Sequence, residues 1–596
     1  MSPPGRPGTG AALFVGGAAA FVVGVKLVEI IRPALLLDPE RSWALPRFLL
    51  WLAFVGAVTS AGGLAAAIFV LVGRTRLASP ELDPLRLSRS STAALAAAAL
   101  FVGVFLRAVS LARLPFPFIE DEVNLIGPTL SLSGTWRDFA NSIRAIPFGV
   151  ADPHEVIGVL YLRFYRGVLH LFGPTVTAVR LPSLVGGVLS LFTATLLGRA
   201  LLPKGGGALA ALVLAGLRWH LILSRNGWHL ILLAAIADAA TLMLLHARRR
   251  GRAASAAVAG LLMGLGAHFH LAAWVPAVAL LGFSVWPEVR GERPAPRLRR
   301  LIAYCGGMAI AVAPLFLLRE GRATPYFHRT ARHNVVREMR YTKSVLPPLG
   351  AAADALIAPW LLPEPAGWID LPGRSRLGWI IGVPVALAFL RALVFPRREL
   401  SALLLLHAGS AFVAAVLGGR AGHPHGFRFG YLTTVTAVAA AAGLLQLLQV
   451  SPPRLRRAGA LAAIGLVAVS GAAAARDALL RWPESRSTFD AYHGQDTLIG
   501  RAAARWEMYG TVTVDPGLGR SDMTIDTVRR YRLDPDQRAS MPPVTHRRAV
   551  GARVLDRFHV GRPTSAPAPG ERAVERVRDG WGREWAVVFG RRADAT

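Results

Sequence analysis

Cysteine is nearly missing. The 596 residues hold one, Cys305, so no intrachain disulfide can form and every part must be held by packing or docking. Charge is scarce as well: 17% of residues are Asp, Glu, Lys or Arg, 53% are apolar, and mean hydropathy is +0.43, which excludes a single water-soluble domain. Acids are scarcer than bases, 36 against 67, for a net charge of +31. Such a surplus raises nucleic acid as a partner, but its distribution argues against that. The arginines cluster in short loops between apolar runs, as the positive-inside rule expects. No fixed-period repeat or low-complexity tract stands out either.

What fills the chain is a series of apolar runs, most of about 18 to 24 residues and so long enough for a hydrocarbon core of roughly 30 Å. Thirteen spans are predicted, near 11–31, 48–72, 93–112, 180–202, 207–223, 228–246, 254–270, 272–286, 301–318, 378–395, 401–418, 430–449 and 458–475. The first, AALFVGGAAAFVVGVKLVEII, has no small-residue cleavage site followed by a polar mature domain, so it reads as a retained span. With the amino terminus cytoplasmic, the inner loops GRTRLASPELDPLRLSRSS, PKGG, ARRRGR, PEVRGERPAPRLRR, PRREL and SPPRLRR are all net basic. The outer loop 114–178 carries more acids than bases. The long outer loop 319–377, with its basic YFHRTARHNVVREMRYTK, is the exception, and long loops translocate largely regardless of charge.

The expected fold is thus an α-helical polytopic membrane protein. Residues 1–92 hold two additional amino-terminal spans and a basic cytoplasmic linker, 93–476 the transmembrane core, and 477–596 a small extracytoplasmic α/β domain. In that last region DTLIGRAAARWEMYG reads as an amphipathic helix, TVTVD and EWAVVFG as strands, and GRPTSAPAPGER as a loop.

Carboxylates gather at one place. The stretch PFPFIEDEVNLIGPTLSLSGTW (115–136) sets Glu120, Asp121 and Glu122 side by side just after a span. An acidic cluster is most often a solvated loop. Here an apolar turn, RLPFPF, precedes it and a segment resembling a surface-lying helix follows, so the acids stay close to the bilayer. Three adjacent carboxylates repel one another, which raises the proton affinity of at least one unless a cation is near. Groups of that kind are candidates for acid–base work.

The segment DPHEVIGVLYLRFYRGVLHLFGPTVTAVRLPSLVGGVLSLFTATLLGRALLP (152–203) resembles the helix, LFG turn and RLPS span entry of the GT-C glycosyltransferases. The branch it is most similar to is that of the protein O-mannosyltransferases and the bacterial lipid A aminoarabinose transferases (glycosyltransferase family 39-like). LILSRNGWHLILLAAIADAATLMLLHA and PHGFRFGYLTTVTAVAAAAGLL match further elements, so the similarity covers roughly 93–450. The resemblance implies a GT-C-like core and an Asp-Glu pair in the first outer loop, here Asp121 and Glu122. Two departures stand out. DPHEVIGVLY replaces the HPPL-like element before the LFG turn, which leaves the acceptor side, around His154, undefined. The two amino-terminal spans have no counterpart.

Such an enzyme takes a sugar from a polyprenyl phosphate, whose tail stays in lipid while the sugar reaches water. Direct inverting displacement needs a base for the acceptor proton and little acid help, because the lipid phosphate leaves as a stabilised anion. Asp121 is the candidate base, with Glu122 its helper or a substrate ligand; such a base contributes typically 10²–10⁴-fold. Arg428 in HPHGFRFG is the first candidate for the leaving phosphate, with ordinary interfacial snorkelling the equal alternative. Arg225 in SRNGWH, His270 in AHFHLAAW, Glu120, His154 and His425 are weaker substrate-binding candidates. His423 and His425 form a His-x-His that in a loop is more often neither a phosphate nor a metal ligand. Arg329, Arg332 and Arg337 belong either to a lipid-attracting patch or to a surface helix.

Within the spans, Lys26 and Glu29 lie three apart and can pair. Asp238 falls mid-span, where an unpaired charge costs roughly 2.5–3.5 kcal/mol, so it is expected to face the bundle interior. No metal or other cofactor is predicted, although the acidic triplet leaves a divalent cation open. The partners expected are the lipid-phosphate sugar, a glycan, lipid or protein acceptor, and the bilayer. The rival reading is a secondary transporter or lipid flippase; a membrane scaffold is a second. Transporters usually show an internal repeat and a midplane site, whereas polar residues here gather at one mouth.

Overall fold

The computed structural model describes residues 81–115, 159–287, 294–317, 334–344, 370–418, 429–450, 452–519, 522–531, 557–569 and 571–591, together with the single positions 122, 126, 129, 348, 352, 367 and 533. The expected spans 11–31 and 48–72, with Lys26 and Glu29, lie outside the described residues, as do Glu120, Asp121, His154, Arg329, Arg332, His423, His425 and Arg428.

Seven helices among the described residues are long and apolar enough to cross a membrane. They are α1 (Arg89–Ala108), α3 (Val176–Leu201), α6 (Leu230–Arg250), α9 (Pro294–Leu317), α12 (Glu399–Gly418), α13 (Leu432–Val450) and α14 (Arg456–Arg476). Shorter apolar helices α4 (Gly206–Ala215), α7 (Ala253–Phe269), α8 (Trp274–Val285) and α11 (Gly378–Val394) pack among them, and α2 (Val159–Phe172) and α5 (Arg218–Leu223) lie between. Phe101, Ile310 and Val469 are 74, 71 and 67% exposed. Side chains this apolar on the outer faces of long helices suit a hydrocarbon solvent and would be a liability in water.

Small residues set the helix spacings. A Cβ on Gly260 of α7 would lie 1.9 Å from the Tyr304 carbonyl oxygen of α9, and one on Gly307 of α9 would lie 2.0 Å from that of Ala257. A Cβ on Gly443 of α13 would meet the Pro384 carbonyl of α11 at 1.8 Å. These backbones touch because no side chain intervenes, the usual device where lipid removes the hydrophobic drive between helices.

The expected span at 207–223 needs correction, because it is not one helix. α4 stops at Ala215 and α5 begins at Arg218. At the break Gly216 meets Gly471 of α14 so closely that a Cβ on Gly216 would lie 2.4 Å from the Gly471 Cα. At 1.5 Å per residue α4 is only about half a bilayer long.

The two ends of the bundle differ in charge. At one end Arg248 and Arg249 close α6, Arg391 lies in the last turn of α11, and Arg456 opens α14. At the other, Arg218 at the start of α5 is buried and forks onto Asp370, with Nη2–Oδ2 at 3.0 Å. It also donates to the Ser375 carbonyl at 2.7 Å and reaches Asp477 at 3.5 Å. The Trp482 indole donates to the Gly367 carbonyl at 2.7 Å, so Gly367 is stapled to the end of α14 as Asp370 and Ser375 are to α5. Asp238 of α6 faces the bundle interior, accepting from Thr193 at 2.7 Å and Thr434 at 2.8 Å.

Past α14 the chain forms α15 (Arg486–Ala491), α16 (Gly494–Trp506), β1 (Thr511–Val514), α17 (Asp522–Tyr531), β2 (Arg557–Gly561), β3 (Arg572–Arg578) and β4 (Glu584–Arg591). The sheet order is β1-β2-β4-β3, with β1 and β2 parallel and the other two pairs antiparallel. Ile499 and Trp506 of α16 and Ile525 of α17 pack with Phe558, Val560, Ala586 and Val588 of the sheet.

The β3–β4 hairpin turns on Asp579. Its carboxylate accepts from the Trp581 and Arg583 amides and from Arg583 Nε, each at 2.9 Å, and from the Trp585 indole at 3.1 Å. Burial pushes this carboxyl up, but the donors, Arg583 foremost, outweigh it and hold the pKa below the ordinary carboxylate range. A depressed folded pKa contributes stability that is present above the unfolded value, about 3.9, and lost as pH falls through the folded one. Asp579→Asn is therefore expected to lower the melting temperature at neutral pH. Melting of variant and wild type across pH should show the gap narrowing below about pH 4; a gap independent of pH would contradict the assignment.

Candidate active site

The turn SRNGWH (224–229) between α5 and α6 organises one end of the bundle. Glu122 is fully buried against it. Its Oε1 accepts from the Gly227 amide at 2.5 Å and pairs with Arg180 Nε at 3.3 Å, and Arg180 too is fully buried. The same arginine donates through Nη1 to the Leu111 carbonyl at 3.0 Å, which ties the chain beyond α1 to the entry of α3. Gly227 is required by space rather than by backbone angle, since a Cβ there would lie 2.9 Å from Glu122 Cγ and 3.0 Å from Val179 Cγ1.

Arg225 is buried as well, and both terminal nitrogens are committed. Nη1 donates to the Leu106 and Arg107 carbonyls at 2.9 and 3.0 Å, and Nη2 to those of Val109 and Leu114 at 2.7 and 3.4 Å. Arg107 in turn donates to Gly103, Leu214 and His220 Nδ1 at 2.7, 2.9 and 2.7 Å. Arg107, Arg180 and Arg225 are thus all buried at this end, with Arg225 Nη1 reaching the Arg107 carbonyl. Of the acidic triplet only Glu122 is among the described residues, and the cation beside it is Arg180.

His270 stands at the end of α7, where its Nδ1 accepts from the Ala272 amide at 2.9 Å and caps the turn Leu271–Ala273. Its ring lies 5.3 Å from that of His229, which is 4.8 Å from Tyr161 of α2. Glu122, Arg225 and His270 therefore share one end of the bundle. Arg337, in α10 (Val335–Thr342), donates its amide to the Asn334 side chain at that helix's start.

The carboxy-terminal domain reaches the same end. Val528 of α17 and Leu533 join the apolar cluster of Ile126, Tyr161, Val179 and Leu232. Asn226 donates to the Tyr492 hydroxyl at 2.7 Å. Arg180, Gly227, Asn226 and Tyr161 were not singled out in sequence. All four lie in the stretches that carry the resemblance or beside the nominated Arg225.

Residues 159–317 match the family model of the dolichyl-phosphate-mannose-protein mannosyltransferases. The match begins at α2 and ends with α9, so it holds Arg180, the SRNGWH turn and His270. No curated protein matches the chain. Among solved structures it is similar to ArnT from Cupriavidus metallidurans bound to undecaprenyl phosphate, at 14% identity and TM-score 0.46, over 85% of this chain and 98% of that one. It is also similar to the oligosaccharyltransferase AglB from Archaeoglobus fulgidus in complex with an inhibitory peptide and a dolichol-phosphate. There the identity is 16% and the TM-score 0.42, over 70% of this chain and 59% of that one. A third is the Archaeoglobus fulgidus oligosaccharyltransferase in complex with Zn and sulfate, at 16% and 0.43, over 74% of this chain and 62% of that one. Among the described residues no three His, Cys, Asp or Glu side chains are grouped to hold a metal ion.

Proposed function

We propose that the chain is a membrane glycosyltransferase that moves a sugar from a polyprenyl phosphate to an acceptor hydroxyl by inverting displacement. The observation that carries this reading is the family match over residues 159–317, because it contains both donors, Arg180 and Gly227, that hold Glu122.

In this reading Asp121 takes the proton as the acceptor oxygen attacks the anomeric carbon, and the bond to the lipid phosphate breaks with its electrons leaving on that phosphate. Glu122, its Oε1 held by Arg180 and Gly227, is a positioning residue that fixes the backbone one peptide away from Asp121. Arg428 receives the developing phosphate charge. Arg225 and Arg107 hold the end of α1 and contribute a positive potential there, while His270 shapes the neighbouring turn. Glu120, His154 and His425 stay as candidate substrate contacts. Any divalent cation would be held chiefly by Glu120 and Asp121, since Glu122 Oε1 is already engaged.

Thirteen spans, a cytoplasmic amino terminus, an inner-membrane location and an extracytoplasmic site with residues 477–596 above it complete the reading. The arginine-rich opposite end of the bundle supports that orientation. The test is whether purified protein releases polyprenyl phosphate from a polyprenyl-phosphate hexose or pentose in the presence of acceptor extract. Movement of intact glycolipid across vesicles without release would mark a flippase instead.

A further inference from the structure

One polar feature plays no part in that chemistry. At the end of the bundle away from Glu122, a cavity of about 480 Å³ opens among Glu81, the α3–α4 turn at Pro203, Arg391 of α11 and Arg397 to Ser401. Its outer wall is held in place. The Leu85 amide donates to the Lys204 carbonyl at 2.8 Å, Gln449 Nε2 to the Glu81 carbonyl at 2.9 Å, and Arg456 pairs with Asp83 at 2.7 Å. Residues 81–85 are thereby stapled across the helix ends.

The charge inside is unbalanced. Arg391, Arg397 and Arg398 line the cavity. Arg391 is buried, whereas Arg397 and Arg398 are exposed, and among the described residues the side chains of those two make no hydrogen bond or ion pair. Glu399 lines it too but is taken by Arg249, at 2.5 Å from Nη2 and 3.1 Å from Nε. With Arg249 counted, four guanidiniums face the two carboxylates Glu81 and Glu399.

The mouth lies where spans end. Leu393 and Val394, just before it, are 65 and 59% exposed. The Trp286 indole, at the end of α8, donates to the Pro396 carbonyl at 3.0 Å, an aromatic at the level typical of headgroups. A volume of this order holds a small polar ligand, and a basic pocket between helix ends at that depth is built for a lipid phosphate.

We infer that this cavity binds the headgroup of an anionic phospholipid. Arg397 and Arg398 grip the phosphate oxygens from the water side, Arg391 faces them from within, and the acyl chains run along Leu393 and Val394. A free phosphate would use the same arginines but gain nothing from that apolar flank.

The test uses the full chain in nanodiscs of mixed phosphatidylglycerol and phosphatidylcholine, with retained lipid read by native mass spectrometry. Wild type is expected to retain phosphatidylglycerol selectively, and Arg397→Ala with Arg398→Ala to lose about 30-fold in that preference, both positions being exposed. Arg576→Ala with Arg578→Ala, on the distant sheet, should change nothing. Unchanged selectivity in the Arg397/Arg398 variant overturns the site. Retention of added inorganic phosphate in place of lipid, lost in the same variant, overturns the lipid assignment.

Discussion

Asp121→Asn is expected to abolish sugar transfer, by at least 100-fold and by as much as the 10²–10⁴ that a positioned base contributes. The amide keeps the shape of the carboxylate and removes only its capacity to take a proton. Melting temperature and elution volume should therefore match wild type, and donor binding should persist. Glu122→Gln provides the contrast. Glu122 is fully buried, with Arg180 and the Gly227 amide both donating to Oε1, so its amide should disturb folding before it disturbs chemistry. A split of this kind, with one neighbour acting on rate and the other on stability, separates base from positioning residue. Full activity in Asp121→Asn would remove Asp121 from that role while leaving the transferase reading intact, since release of polyprenyl phosphate by wild type tests the latter independently.

The length of the apolar runs carried most of the bundle, because in lipid the length of a run sets the length of a helix. What sequence could not show was anything decided by two distant backbones. The break between α4 and α5 follows from Gly216 meeting Gly471, more than two hundred residues apart, and neither glycine is unusual in its own neighbourhood. β3, RAVERVR, is rich in charge and breaks the apolar–polar alternation of a strand, and β2 is five residues long, so neither stood out as a strand. At the site the acids were legible and their partners were not. Arg180 sits one turn into an apolar run, where a lone arginine reads as snorkelling; its meaning comes from Glu122, 58 residues earlier. Arg225 was legible as a cation at the right end of the bundle. Its commitment to four carbonyls belongs to the fold of the segment after α1 and not to its own surroundings in sequence.

Arg180→Leu should be among the most damaging single changes in the described core. It strands a buried carboxylate and takes the Nη1 donor from the Leu111 carbonyl, and breaking one side of a buried pair costs roughly 3–5 kcal/mol. That is a large part of the stability of an ordinary domain. Glu122→Leu alone strands the cation instead, with a similar cost. The double variant Arg180→Leu with Glu122→Leu removes both charges, and replacing a buried pair by apolar groups is often close to neutral. Melting or denaturant titration in detergent should therefore show each single variant far below wild type and the double variant well above the sum of the two losses. Activity should not return with stability. If Glu122 serves only to fill and neutralise the core, the rescued double variant would transfer sugar normally. If it holds the neighbouring Asp121 in register, as proposed, the double variant would be folded and slow. Additive losses in the two single variants, with no rescue in the double, would mean that the two side chains do not act as a pair.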